Sequence, residues 1–184
     1  MAFQQDGILD ADEARELYGL IAPGPADVDM VMMIERKGAP IEGESPRQFE
    51  DGKPRMEIGG YLWSAQTVAS GGKTRVSPMS LLVARRSDAA TASVASILRA
   101  QDLDLRVVIG VYKTGGDARS TDAQPVFEMV LESARIAVHM LHSGGPWGAP
   151  SEIIAFTYRS IVIKSAPQTR TGARGAVREC KFEV

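Results

Sequence analysis

Residues 105–113, LRVVIGVYK, residues 126–141, VFEMVLESARIAVHML, and residues 152–164, EIIAFTYRSIVIK, decide the fold. Each shows the two-residue period of an extended strand, which sends one set of side chains to a core and the other set to the opposite face. In the middle segment Phe127, Met129 and Leu131 share one face, and Glu128 and Glu132 the other. In the last, Ile154, Phe156, Tyr158 and Val162 share one face, and Ile153, Ala155, Thr157, Ile161 and Ile163 the other. That strand is apolar on both sides, as expected of a strand covered on both sides. The connections, from Thr114 to Ala123 and from His142 to Pro150, are glycine-rich turns. An antiparallel meander closing into a barrel or sandwich follows from this stretch.

Working outward, Val28–Glu35 is a further strand candidate with an unbroken apolar run from Met30 to Ile34. Lys37 to Arg55 carries Gly38, Pro40, Gly43, Pro46, Gly52 and Pro54 and reads as a long projecting loop. Extended structure resumes over Glu57–Ala69, with Gly59-Gly60 marking a bulge or bend, and again over Arg75–Arg85. Gly71-Gly72-Lys73 between them is a hairpin turn, since it lacks the upstream glycine of a phosphate loop and leads into a strand. Ser87–Gln101 is the helix of the body, capped by Ser87 or Asp88, with Ala90, Val94, Ile97 and Leu98 as its apolar stripe. The tail from Gln168 adds a final edge strand, with Val177, Cys180, Phe182 and Val184 as candidate contacts. The fold class expected is mainly β: an antiparallel β-barrel or sandwich with one flanking α-helix and a short N-terminal helical arm.

The arm occupies residues 1–26 and the barrel domain residues 27–184. Asp10 and Glu13 form a capping-box pattern, Ala14, Leu17, Leu20 and Ile21 an apolar stripe, and Pro23-Gly-Pro25 a hinge. The sequence leaves open whether this helix packs on its own domain or reaches a neighbouring subunit.

The chain has 184 residues and a formal net charge of −2, which gives no pull toward nucleic acid or an anionic membrane. The basic residues near the end, Arg159, Lys164, Arg170, Arg174, Arg178 and Lys181, lack aromatic interleaving and read as a solvated face or subunit contact. A single cysteine, Cys180, excludes an intrachain disulfide and reads as a small buried or tolerated side chain. The first residues carry no apolar run of a cleavable signal peptide, and no segment is long and apolar enough to span a bilayer. Export is therefore expected to use no cleavable signal.

Chemistry is thinly represented. His139 and His142 stand three apart in a strand, on opposite faces, with no nearby cysteine or carboxylate to complete a metal site. There is no phosphate loop, no nucleophile elbow and no carboxylate pair at a recognisable spacing. No cofactor, metal or catalytic residue is assigned, and the protein is not expected to be an enzyme.

Residues 30–45, MVMMIERKGAPIEGES, resemble the opening of the Hcp (hemolysin-coregulated protein) tube proteins of type VI secretion systems, where an apolar strand runs into a G-E-S loop. In order, Ile58–Ser64 matches the strand ending near W-S, Tyr112–Gly116 a strand with its glycine turn, and Phe127–Ser133 the strand that follows. Pro150, Glu152, Phe156 and Tyr158 match a P-x-E-x-x-x-F-x-Y/K pattern, and Gln168, Gly172 and Gly175 the family's Q-x-x-x-G tail. The resemblance runs over about residues 28 to 175 and does not include the arm. It implies a barrel that assembles as a homohexameric ring. Rings stack head to tail into a hollow tube that carries small effectors, is driven by a contractile sheath and is tipped by a VgrG-type spike. On this reading the subunit starts in a bacterial cytoplasm and is then secreted. The long loop is placed to contact the next ring, through Glu42, Glu44, Arg47, Phe49, Glu50, Lys53 and Arg55, with the N-terminal arm as the second candidate for that contact. Two other classes fit the strands alone: a monomeric barrel binding a small molecule, and an enzyme using His139 or His142.

Overall fold

The computed structural model describes Glu16, Tyr18, Gly19 and residues 28–70, 72–113, 124–143, 150–167 and 175–184. In chain order the strands are β1 (Val28–Arg36), β2 (Ala39–Pro40), β3 (Met56–Glu57), β4 (Gly60–Leu62), β5 (Ala65–Ser70), β6 (Lys73–Pro78) and β7 (Leu81–Arg86). Helix α1 (Thr91–Ala100) follows, then β8 (Leu105–Lys113), β9 (Phe127–His142), β10 (Ser151–Thr157), β11 (Ser160–Ser165) and β12 (Arg178–Glu183). The mainly β, antiparallel architecture expected from the sequence is the one observed.

Strand β9 is the spine, because its two halves belong to different sheets. Its first half pairs with β8 on one side and β11 on the other, and β1 and β12 extend this sheet. Its second half pairs with β10, which pairs with β7 and through it with β4. The short run from Met56 to Leu62 closes the circuit. Its β3 end pairs with β1 and its β4 end with β7, and the Ile58 and Gly59 amides donate to Met30 and Ala84 carbonyls at 3.0 and 2.9 Å. A closed ring of strands leaves fewer free edges than an open sheet.

Two irregularities let β9 turn from one sheet to the other. Ser133 holds a left-handed backbone (φ 47°) where the pairing with β8 shifts register. A second shift, beside Phe156 and Ile136, leaves Ala137 unpaired with β10. Each extra residue reverses the in–out alternation. Met129 and Leu131 face the main core, then Ala134 and Ile136, while Val138 and Met140 pack on the outer face.

The main core gathers Met32 and Ile34, Val107 and Ile109, Met129 and Leu131, Ile154 and Phe156, with Val94 and Ile97 of α1. A smaller cluster on the outer face of the second sheet joins Leu82, Ala84, Ile153 and Ala155 under Tyr18. Strand β10 is thus buried from both sides, as its double apolar pattern implies.

Several boundaries differ from the sequence reading. Residues 152–164 form two strands, because Tyr158 and Arg159 leave the ladder where β9 bends. After that break Ile161 and Ile163 face the core, and Val162 lies outside it. Residues 57–69 divide into β3, β4 and β5, and residues 75–85 into β6 and β7, each division falling where the chain changes sheet. The helix begins at Thr91 instead of Ser87, since the Asp88 carboxylate ties down the Ala90 amide (2.8 Å) in a turn that precedes it. In the tail, Phe182 alone of the expected contacts is half-buried, while Val177, Cys180 and Val184 are exposed along the β12 edge. Glu16, Tyr18 and Gly19 are helical, and Tyr18 packs on its own barrel. The expected cap, stripe and hinge of the arm lie outside the described residues, as do the turns 114–123 and 144–149, Gln168 and Gly172.

Candidate functional site

The motifs at Glu44 and Glu152 are far apart in sequence but meet at the start of α1. Glu152 of β10 lies opposite Arg85 of β7 in the ladder. Both side chains are 0% exposed, with Arg85 Nε 3.0 Å from Glu152 Oε1. The Arg85 guanidinium also pairs with Asp88. His139, one step along the diagonal on β9, donates from Nε2 to Glu152 Oε2 at 2.6 Å. That tautomer is assigned because a carboxylate only accepts. The Thr91 hydroxyl donates to Glu152 Oε1 at 3.4 Å and accepts the Asp88 amide at 3.0 Å. Glu44 completes the cluster from the loop: its amide donates to Asp88 Oδ2 (3.2 Å) and its carboxylate accepts the Ala89 amide (3.3 Å). Acidic groups at a helix start also suit the partial positive charge there.

The carboxylates hold Arg85 and the amides before α1, while Arg85 Nη1 is buried without a hydrogen-bond partner among the described residues. Among the described residues no cluster of three or more His, Cys, Asp or Glu is suited to a metal ion. The two histidines do face opposite ways: His142 lies on the outer side, edge-on to the Tyr18 ring at 4.2 Å. The carboxylate beside His139 escaped the sequence reading because Glu152 comes from the next strand, thirteen residues on.

The loop proposed for contacts is partly folded back. Gly43 and Ser45 donate to Pro54 and Arg55 carbonyls at 3.2 and 2.9 Å, which closes the loop at its base. A Cβ at Gly43 would come within 2.6 Å of the Arg55 carbonyl oxygen and Met56 Cα, so the close approach requires glycine. Arg47 is buried. It pairs with Asp29 at 3.1 Å and lies 4.1 Å from the centre of the Tyr112 ring. Phe49 meets Tyr112 edge-on at 6.1 Å, and Arg55 covers Phe49 at 4.9 Å. Arg55 also pairs with Asp51 (2.8 Å). Slight burial raises the Asp51 carboxyl, but the Lys53 amide and the Arg55 guanidinium outweigh it and hold the group below its ordinary value. Of the seven residues singled out, Arg47, Phe49 and Arg55 therefore build the loop, while Glu42, Glu44, Glu50 and Lys53 are exposed on it.

A second projecting element was not singled out. Among the described residues, strands β5 and β6 pair only with each other, from Ala65↔Pro78 to Ser70↔Lys73, and most of their described side chains are exposed. Its two legs and its Gly71-Gly72 turn were legible in the sequence within residues 57–69 and 75–85, but nothing in their polar composition signals that they stand apart from the barrel.

Solved structures of type VI secretion proteins share this architecture. One described as a type six secretion system protein superposes with a TM-score of 0.66 at 19% identity, over 85% of this chain and 95% of that one. Hcp1 from Salmonella typhimurium gives 0.63 at 14% identity, over 85% and 95%. The secreted protein Hcp3 from Pseudomonas aeruginosa gives 0.56 at 17% identity, over 85% and 97%. No protein-family model matches the sequence. No curated protein sequence matches it either. The chain has the fold of the Hcp proteins of type VI secretion.

Proposed function

We propose that this chain is an inner-tube subunit of a type VI secretion system, with no catalytic role, that forms hexameric rings stacking into a hollow tube. The observation that carries the reading is the convergence of exposed Glu44 and buried Glu152, residues of two motifs resembling Hcp, at the start of α1 within a barrel that aligns with Hcp structures over most of its length. A sheath that drives the tube, a VgrG-type spike at its tip and small effectors in its lumen are the partners this role requires, and the subunit leaves the cell with the spike and the effectors. The barrel interior is filled by core side chains such as Met32, Ile109, Met129 and Phe156, the packing of a small barrel whose centre is core.

Ring-to-ring contact is assigned to the exposed face of the loop, through Glu42, Glu44, Glu50 and Lys53. Hairpin β5–β6 joins it as a second contact, because it projects without a partner strand from the barrel and carries Lys73 and Arg75 with no acidic residue. A head-to-tail contact of this kind propagates along an axis. Sedimentation and negative-stain imaging of Glu42→Lys/Glu50→Lys and of a variant with residues 65–78 shortened to a tight turn test the assignment. Rings that keep their mass but no longer elongate are expected. Unchanged stacking in both variants would remove these two elements from the interface.

A further inference from the structure

The legs of hairpin β5–β6 run on into β4 and β7, which pair at Leu62↔Leu82, and one side chain ties both of them to another part of the barrel. Trp63, just before β5, donates its indole Nε1–H to the Tyr158 hydroxyl at 2.5 Å. That hydroxyl donates in turn to the carbonyl of Met79, just after β6, at 2.6 Å. The Met79 amide meets the Ser64 carbonyl at 2.9 Å, which closes the root. One phenol therefore holds both legs of the hairpin. Tyr158 itself sits in the break between β10 and β11, where the β9 ribbon passes from one sheet to the other, and is buried in the main core. The Trp63 ring also rests on Phe182 of β12 (centroids 5.2 Å apart).

We propose that Tyr158 is a positioning residue that fixes the direction in which hairpin β5–β6 leaves the barrel. Beyond the root, β5 and β6 make no strand pairing with the barrel, so their orientation depends on how the root is held. The Ser64–Met79 backbone bond and the Leu62↔Leu82 pairing of β4 with β7 hold the two legs together at their base. Two hydrogen bonds through the Tyr158 hydroxyl, with donor and acceptor on different legs, add a tie from both legs to the β10–β11 break. The phenol is suited to this role because it donates and accepts at the same atom. Only its consequence for a tube rests on the stacking role given above to the hairpin.

Tyr158→Phe keeps the ring and deletes both bonds. Native-state amide exchange is expected to quicken about tenfold across residues 65–78, the size of losing one or two net hydrogen bonds. Exchange in β8 and β9 is expected to hold within about twofold. Trp63→Phe, which removes one of the two bonds, should quicken the same peptides by less, and adding it to Tyr158→Phe should contribute little more, since the two act through one bond. Unchanged exchange in the hairpin, or an increase spread evenly over the barrel, would overturn the proposal. If the hairpin loosens and rings still stack normally, the clasp stands and the stacking role of the hairpin falls.

Discussion

Arg85 and Glu152 face each other across β7 and β10 with both side chains fully enclosed, Nε 3.0 Å from Oε1. Such a pair adds little over an apolar pair of the same shape, but removing one member strands a buried charge. Glu152→Ala should cost about 3–5 kcal/mol in equilibrium urea unfolding. Arg85→Met with Glu152→Leu should recover much of that loss. A single substitution costing under about 1 kcal/mol would show that water reaches the cluster.

Ser133 marks where β9 changes sheets, and its left-handed backbone is what a β-branched side chain resists most. Ser133→Val should lose about 1–3 kcal/mol, and Ser133→Gly should keep the bend with a smaller change. Equal unfolding midpoints for the two variants would mean that the bend is not set at this residue.

That bend also explains how far the sequence could be read. The apolar run of β1, the alternation in β8 and the first half of β9, and the Val94–Ile97 stripe all gave their elements, because each lies in one regular ladder or helix face. The reading failed where the ladder breaks. Past Tyr158 and Arg159 the core residues become Ile161 and Ile163, and nothing local in Tyr-Arg-Ser announces the change. The loop was legible as a loop, but Arg47 could not be seen to turn inward, since its partners Asp29 and Tyr112 lie on two other strands. Glu44 and Glu152 were legible as motif positions and Asp88 as a helix cap, whereas Arg85, which pairs with both Glu152 and Asp88, carries no pattern of its own.

Burial pushes the phenols of Tyr18, Tyr61 and Tyr158 above the ordinary tyrosine value, with hydrogen bonds involving Ser151 and Trp63 partly offsetting it at Tyr18 and Tyr158. The neutral phenol is thus the form the fold favours. Its contribution is complete below the unfolded value of about 10 and is lost as pH rises through the folded values. Melting temperature followed from about pH 8 to about pH 11 should hold and then fall. Tyr61→Phe should fall less steeply over the alkaline part. An identical profile for that variant would remove Tyr61 from the explanation.

Tyr18 covers Leu82, Ala84, Ile153 and Ala155 on the outer face of the second sheet. Tyr18→Ala should lower stability by about 1.5–3 kcal/mol and raise binding of a hydrophobic dye. No change in either would place the arm elsewhere in solution.

The central claim is that this barrel is a ring subunit, and the mass of the purified protein by light scattering, with negative-stain imaging of the same peak, tests it most directly. The account predicts a particle of about six subunits of 19.8 kDa each, seen as a ring with a central hole. A clean monomer at every concentration examined would contradict it.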